Sequence, residues 1–344
     1  MSGFEVVEVA HGDDAGIRAW AAVTAASLRH DVGPPATPWT AEELAVVVGT
    51  SDGMRRDTFH LGLLDGEPVA AGWLAMRLLD NLDAAELDVH VLPAHRRHGY
   101  GGRVLDRLHE RAAEAGRSRL DARSQWPYEG PADGAGTPGM AFALARGYHF
   151  GIGEVQRELV LPVSEERLVA LAADAAPHHA AYRIEAWQGP VPDELVESWL
   201  AVWSTLPTEA PTGESEREDD SADVAAFRAM EATQARQGRR SWHAVALDAA
   251  GEVVAYTEVV VPAHDPGVAF QWGTLVARGH RGHRLGVALK VANLQALQRD
   301  LGPAASGRRL VTWNAEVNGP MIDINEELGF VPSARSAELQ RRAG

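Results

Sequence analysis

A chain of 344 residues, 45% hydrophobic and 23% charged, has the composition of a soluble globular protein and the length for two domains. Its formal charge of −16 argues against nucleic acid, which requires a net basic surface, and favours a cationic amine as partner. The absence of Cys excludes disulfides, thiol nucleophiles and Cys-ligated zinc.

No apolar run reaches the roughly 18 residues of a membrane span, so no membrane partner is expected. The N-terminus has no basic patch followed by an apolar stretch, and the expected location is the cytoplasm. The first recognisable element is a hairpin, "TFHLGLLDGEPVAAGWLAMRLL", turning at Asp65-Gly66. The strand "AELDVHVLP" follows, with Glu86, Asp88 and His90 alternating to one face. Then come the loop "HRRHGYGGRVL", His95 to Leu105, and a helix with Val104, Leu105, Leu108 and Ala112 at helical spacing. An apolar strand, "SRLDARS", and a short helix closed by "ARGYHF" complete the first half. Leu161 to His179 reads as a helix or linker, and the acidic, turn-rich Pro207 to Asp220 as a mobile loop.

The same series then returns. A hairpin, "SWHAVALDAAGEVVAYTEVVV", turns near Ala250-Gly251 and leads to "QWGTLVARG" and the loop "HRGHRLGVALK", His280 to Lys290. A helix with Val287, Val291, Leu294 and Leu297, the strand "RRLVTWNA" and a short helix ending "ELGFVP" follow. Val276, Arg281 and Gly286 each lie 185 residues after Val91, Arg96 and Gly101, so one unit is used twice. The expected organisation is a first domain over 1–162, a linker over 163–181 and a second domain over 182–344. Each domain is expected to be mixed αβ, with a largely antiparallel sheet flanked by helices.

A loop of Gly and Arg entering a helix offers free backbone N–H groups and the positive end of the helix dipole, which suits a pyrophosphate. A Walker loop is absent, and a Rossmann loop would follow an early strand. His95 and His98, like His280 and His283, stand three apart, but neither pair has a third ligand nearby, so no metal is expected.

Arg96-x-x-Gly99-x-Gly101 after "LDVHVLP", with the helix-ending "ARGY", resembles the acetyl-CoA motif of the GCN5-related N-acetyltransferase (GNAT) superfamily. "TLVARGHRGHRLGVALK" and "TWNAEVNGPMIDINEELGF" carry the same resemblance in the second half. The resemblance implies an α/β fold class with a mixed α+β sheet, as two tandem acyl-CoA N-acyltransferase domains. It implies acetyl-CoA as co-substrate, without metal. By position, the backbone of Val89 and Val91, and of Thr274 and Val276, takes the pantetheine arm and positions the acetyl carbonyl. The pyrophosphate falls to Arg97, His98, Gly99, Tyr100, Gly101 and Gly102 beside Arg96. In the second half it falls to Gly282, His283, Arg284, Leu285, Gly286 and Val287 beside Arg281.

The halves depart from the family pattern in different ways. The first has the fuller Gly loop but no Asn at the start of its last helix. The second keeps that Asn, as Asn318, and has Arg284 where the first loop Gly is expected. The Tyr that usually protonates the leaving thiolate is replaced by Asn325, and in the first half by about Ala143. A base for the amine is sought among carboxylates: Glu86 in the first half, and Glu258, which interrupts the apolar "VVAYTEVVV", in the second. Glu258 and Asn318 turn the catalytic expectation towards the second half.

The function expected is transfer of acetyl from acetyl-CoA to a primary amine of a small molecule in a ternary complex, by a monomer or homodimer. A non-catalytic acyl-CoA-binding or scaffold pair, or acetylation of a protein or peptide amine, is the alternative.

Overall fold

The computed structural model describes residues 3–342, so 1–2 and 343–344 of the expected domains lie outside the described residues. The chain forms two units that interleave in sequence. The first is Met1–Val155 with Thr212–Arg217 and Ser333–Gly344; the second is Gln156–Pro211 with Glu218–Pro332.

The elements run β1 (Phe4–Glu8), α1 (Asp14–Val32), α2 (Ala41–Val47), β2 (Arg55–Leu64), β3 (Glu67–Arg77), β4 (Ala84–Val91), α3 (Tyr100–Glu114), β5 (Arg119–Pro127), α4 (Pro138–Ala145) and β6 (His149–Val160). They continue α5 (Glu165–Ala175), β7 (Arg183–Gln188), α6 (Val196–Trp203), α7 (Leu206–Glu209), α8 (Val224–Arg236), β8 (Arg239–Leu247), β9 (Val253–Pro262) and β10 (Val268–Val276). The last four are α9 (Leu285–Leu301), β11 (Arg309–Ala315), α10 (Gly319–Leu328) and β12 (Val331–Arg342). Local chemistry sets many boundaries. Asp13 caps α1 through the Gly16 N–H, and Thr40 and Glu43 form a reciprocal capping box at α2. The β2–β3 turn takes Asp65 and Gly66 at φ of 50° and 90°, as a tight two-residue hairpin requires.

In the first unit β1 to β4 form an antiparallel meander, β4 pairs in parallel with β5, and the strand order ends β5-β12-β6. In the second unit β7 to β10 run antiparallel and β10 pairs in parallel with β11. Both are the mixed sheets expected. In both, the parallel pair is short. β4 and β5 stay together from Ala84↔Arg119 to Leu87↔Ala122, and β10 and β11 from Val268↔Arg309 to Phe270↔Val311. Beyond those rungs the strands part.

The domain boundaries differ from those read in the sequence. β12, expected in the domain over 182–344, belongs to the first unit, where it pairs antiparallel with β5 from Ala334↔Pro127 to Arg342↔Arg119. Ala337 and Leu339 bury there against Leu105, Leu108 and Trp126, and this apolar contact fixes the strand in that sheet. The segment 163–181 is no linker: Ser164 caps α5, whose Leu168 and Ala175 are buried in one core with Val291, Leu294 and Leu297 of α9. The acidic stretch from Pro207 also docks. Glu214 donates its N–H to the Gly151 carbonyl (3.0 Å), Glu216 donates its N–H to Gln340 Oε1 (3.1 Å), and Arg217 pairs with Glu338, all within the first unit.

Candidate functional site

The site in the first unit begins where β4 ends. Arg96 folds back so that Nε donates to the Val91 carbonyl (3.1 Å), while its two terminal nitrogens reach Asp31 (2.6 and 2.8 Å) and Nη2 also reaches Ser27 Oγ (2.9 Å). That guanidinium therefore latches the loop to α1, and Arg97, which is exposed, is the loop cation turned to solvent. Arg97 and Gly99 both take the left-handed conformation, at φ of 66° and 86°, and α3 starts at Tyr100 with no side-chain cap. The first-turn N–H groups of Tyr100, Gly101 and Gly102 thus have no intrahelical acceptor, since the first such bond is Arg103 N–H to the Gly99 carbonyl (3.2 Å). A Cβ on Gly102 would stand 2.0 Å from Arg146 Nη2, so the glycine is what lets that guanidinium lie over the helix start.

A cavity of about 550 Å³ extends from this helix start into the gap between β4 and β5, lined by Asp88 to Val91 on one strand and Arg123 to Pro127 on the other. Phe142 of α4, Arg146 just after that helix, and Ser27, Leu28 and Asp31 of α1 close its sides. The set fits acetyl-CoA: bare amides and two cations at one end for a diphosphate, and an open strand edge beyond for an amide-bearing arm. Val89, Val91, Arg96, Arg97, Gly99, Tyr100, Gly101 and Gly102 all line it. His98 does not, and stacks on Tyr100 at 5.9 Å between ring centres.

The polar wall is ordered. His90 Nε2 meets Asp88 Oδ2 at 3.0 Å, and Nδ1 meets Ser27 Oγ at 3.3 Å. Burial pulls the imidazole down, but the Asp88 carboxylate, with Asp31 beyond it, lifts it above its ordinary value. Arg123 pairs with Glu154 (3.1 Å) and Glu338 (3.5 Å). Glu86 is exposed and outside the cavity lining, although it shares the strand face of Asp88.

The second unit repeats the path of the backbone with different side-chain commitments. Arg281 Nε donates to the Val276 carbonyl at 3.1 Å, as Arg96 does to Val91. Gly282 and Arg284 are left-handed at φ of 85° and 50°, so Arg and Gly have exchanged places between the loops without altering the turn. The loop cations here are paired with acidic side chains. Arg278 and Arg281 both reach Glu209 (2.8 and 2.7 Å), and Arg284 reaches Asp174 (2.7 Å) and Glu327 (3.1 Å). Three carboxylates of their own unit thus pair with these side chains.

His283 Nδ1 is bonded to the His178 carbonyl (3.2 Å) and His280 Nδ1 to the Tyr182 hydroxyl (3.0 Å). Leu285, Gly286 and Val287 are buried, and a Cβ on Gly286 would meet Ile324 Cδ1 at 2.8 Å. Among the described residues, no three His, Asp or Glu side chains are grouped to hold a metal.

β10 carries a bulge between Gln271 and Thr274, and Thr274 Oγ1 bonds Thr257 Oγ1 at 2.7 Å. Glu258, opposite His243, is pushed up to about 7 by burial and by Glu231, against a Ser241 hydrogen bond and Arg239. Asn318 begins α10 half-buried, without a capping bond from its side chain. Asn325 is fully buried, accepting from Lys290 Nζ (2.6 Å) and donating to Asn314 Oδ1 (2.6 Å). Burial pulls Lys290 down to about 7.

A model of the GNAT acetyltransferase family matches residues 25–125, a span holding most of the cavity lining. Among solved structures, a tandem GNAT protein from the clavulanic acid biosynthesis pathway, in its form without AcCoA, is 29% identical. It superposes with a TM-score of 0.78 over 99% of both chains. The chain has the fold of a tandem GNAT protein. A GCN5-related N-acetyltransferase from Sphaerobacter thermophilus (14% identity, TM-score 0.65, 99% of this chain and 96% of that one) shares the fold. So does a putative acetyltransferase from Pyrococcus horikoshii (14%, 0.54, 99% and 90%). No curated protein matches the sequence.

Two polar residues of these units, Ser27 and Lys290, were not among the sequence expectations. Ser27 stands 63 residues before His90 with no motif around it. Lys290 did leave a signal: it lies on the buried stripe of α9, three residues after Val287 and four before Leu294, where a cation needs a reason.

Proposed function

We propose that this chain transfers the acetyl group of acetyl-CoA to the primary amine of a small molecule, with the cofactor held by the first unit. The observation that carries the reading is the cavity at the parting of β4 and β5, lined at one end by the bare amides of α3. Acetyl-CoA, when bound, supplies an acyl group already activated as a thioester. The chain's own residues do the rest. The amides of Tyr100, Gly101 and Gly102, with Arg97 and Arg146, hold a diphosphate. The β5-facing backbone of Val89 and Val91 holds an amide-bearing arm and aligns it.

Asp88 and His90 stand on the cavity wall and can take a proton from an ammonium, in place of the exposed Glu86. In the second unit Glu258, balanced near neutrality, is suited to the same work, and Asn318 to an arm at the start of α10. Its loop cations pair with Glu209, Asp174 and Glu327, as Arg146 of the first unit pairs with Asp106 (2.8 Å), so the first unit is favoured for turnover by its open cavity and its exposed Arg97.

Thiol release from acetyl-CoA in the presence of a panel of primary amines, including a peptide N-terminus, tests the proposal. Tight CoA binding with no turnover on any amine would leave the second reading, an acyl-CoA-binding pair without catalysis. That reading is favoured by one observation: neither family position for the proton-donating Tyr carries a phenol. Asn325 is locked between Lys290 and Asn314, and Ala143 is buried in the core.

A further inference from the structure

The Leu92 N–H donates to the Val69 carbonyl on the β3 side (2.9 Å), so strand alternation turns the N–H groups of Val89 and Val91 towards β5. By Val89, β5 has already parted from β4, and both residues line the cavity. A main-chain donor facing such a gap needs an acceptor. Asp88 provides it: Oδ1 accepts the Val89 N–H at 2.8 Å while Oδ2 meets His90 Nε2 at 3.0 Å. His90 in turn meets Ser27, and Ser27 accepts from Arg96, which carries Asp31. A continuous run of hydrogen bonds therefore joins the loop before α3 to one backbone donor inside the cleft.

The oxygen of an acyl thioester entering that cleft requires the same donor, and requires it most when the carbonyl gains negative charge. A carboxylate is the stronger acceptor at rest, so the two compete for one N–H.

We propose that Asp88 is an acyl-responsive carboxylate: it occupies the Val89 N–H until the carbonyl oxygen of an acyl thioester takes that donor, and the released carboxylate then accepts a proton from the incoming ammonium. In that step one N–H proton moves to Asp88 Oδ1, leaving a neutral amine and a neutral carboxyl, and no other bond changes. His90 keeps the second oxygen in place throughout, held from behind by Ser27. Free CoA lacks the acyl oxygen and leaves Asp88 where it is. The inference rests on the acetyl-transfer reading above for its proton step, but its binding step stands alone.

Calorimetric titration of the full chain with acetyl-CoA and with CoA, in wild type, Asp88→Ala and Asp88→Asn, tests it. Removing the competitor in Asp88→Ala is expected to tighten acetyl-CoA by about three- to tenfold, the value of one hydrogen bond, and to leave CoA within about twofold. Amine-dependent thiol release is expected to fall by about 100-fold or more in both variants. Asp88→Asn, nearly isosteric and still able to accept the Val89 N–H, should gain little acetyl-CoA affinity, and it serves should the alanine variant fail to fold. Equal shifts for the two ligands, weaker acetyl-CoA binding in Asp88→Ala, or wild-type turnover in Asp88→Asn would each overturn the proposal. Wild-type protein that binds acetyl-CoA but acetylates no amine defeats the acetyl-transfer reading instead. The ratio of CoA to acetyl-CoA affinities would still decide the role of Asp88.

Discussion

Glu258→Gln separates a functional carboxylate from a merely buried one. Glu258 sits in a strand whose every residue is buried, and its pKa lies at about 7 against an ordinary 4.5. At about 1.4 kcal/mol per pKa unit, that gap corresponds to about 3 kcal/mol. The folded pKa is raised, so between 4.5 and about 7 the folded chain binds the proton and the unfolded chain does not. Stability therefore falls as pH rises through that window, and the full deficit is present above it. Gln keeps the shape and an acceptor for Ser241 but carries no charge. Urea unfolding should show the variant more stable than wild type by about 2–3 kcal/mol at pH 8, with the difference nearly gone at pH 4.5. Thiol release should persist, because the first unit is the proposed seat of turnover. A stability difference equal at both pH values would refute the burial argument. Loss of turnover in a folded variant would return catalysis to the second unit.

Titration of the wild-type chain with CoA should give one tight site; two equal sites would contradict the commitment of the second loop's cations to Glu209, Asp174 and Glu327. Arg284→Gly relieves about 1 kcal/mol of left-handed strain and loses exposed ion pairs of similar size, so its urea midpoint should stay close to wild type. Gly102→Leu drives a side chain into Arg146 at the start of α3 and should weaken CoA by about tenfold, read by the same titration, while the circular dichroism spectrum is retained. Leu339→Ala, at the far end of the chain, should cost about 2–4 kcal/mol and weaken CoA binding by the first unit in parallel, as thermal and binding assays would show.

The parts legible in the sequence are those that short-range chemistry fixes. The run from Asp88 to Leu108 combines strand alternation, a left-handed glycine and a helical apolar stripe, and it forms the strand, loop and helix expected. The exchange of Arg97–Gly99 for Gly282–Arg284 was visible as a departure, but its harmlessness to the backbone was not, because φ is a property of the folded loop. Ser27 and Asp31 were invisible since their partners, His90 and Arg96, lie more than 60 residues away. The segment of α5 read only as a helix or linker, and nothing in Leu168 or Ala175 said that α9 would cover them. Glu86 looked equivalent to Asp88 by alternation alone. The distinction came from where β5 leaves β4, which is set by pairing between distant segments.

The placement of β12 has a consequence for how the protein is made. A ribosome releases the first 155 residues long before residue 333, so the sheet around the cavity waits, with β5 and β6 lacking the strand between them, for almost the whole chain. Synthesis cannot finish the first half first. Expression of 1–162 alone is expected to leave an open sheet edge at β5 and to aggregate, and a gene split at the midpoint is expected to lose the strand that supports the cavity. The unit that repeats along the sequence is thus not the unit that can be cut from the fold.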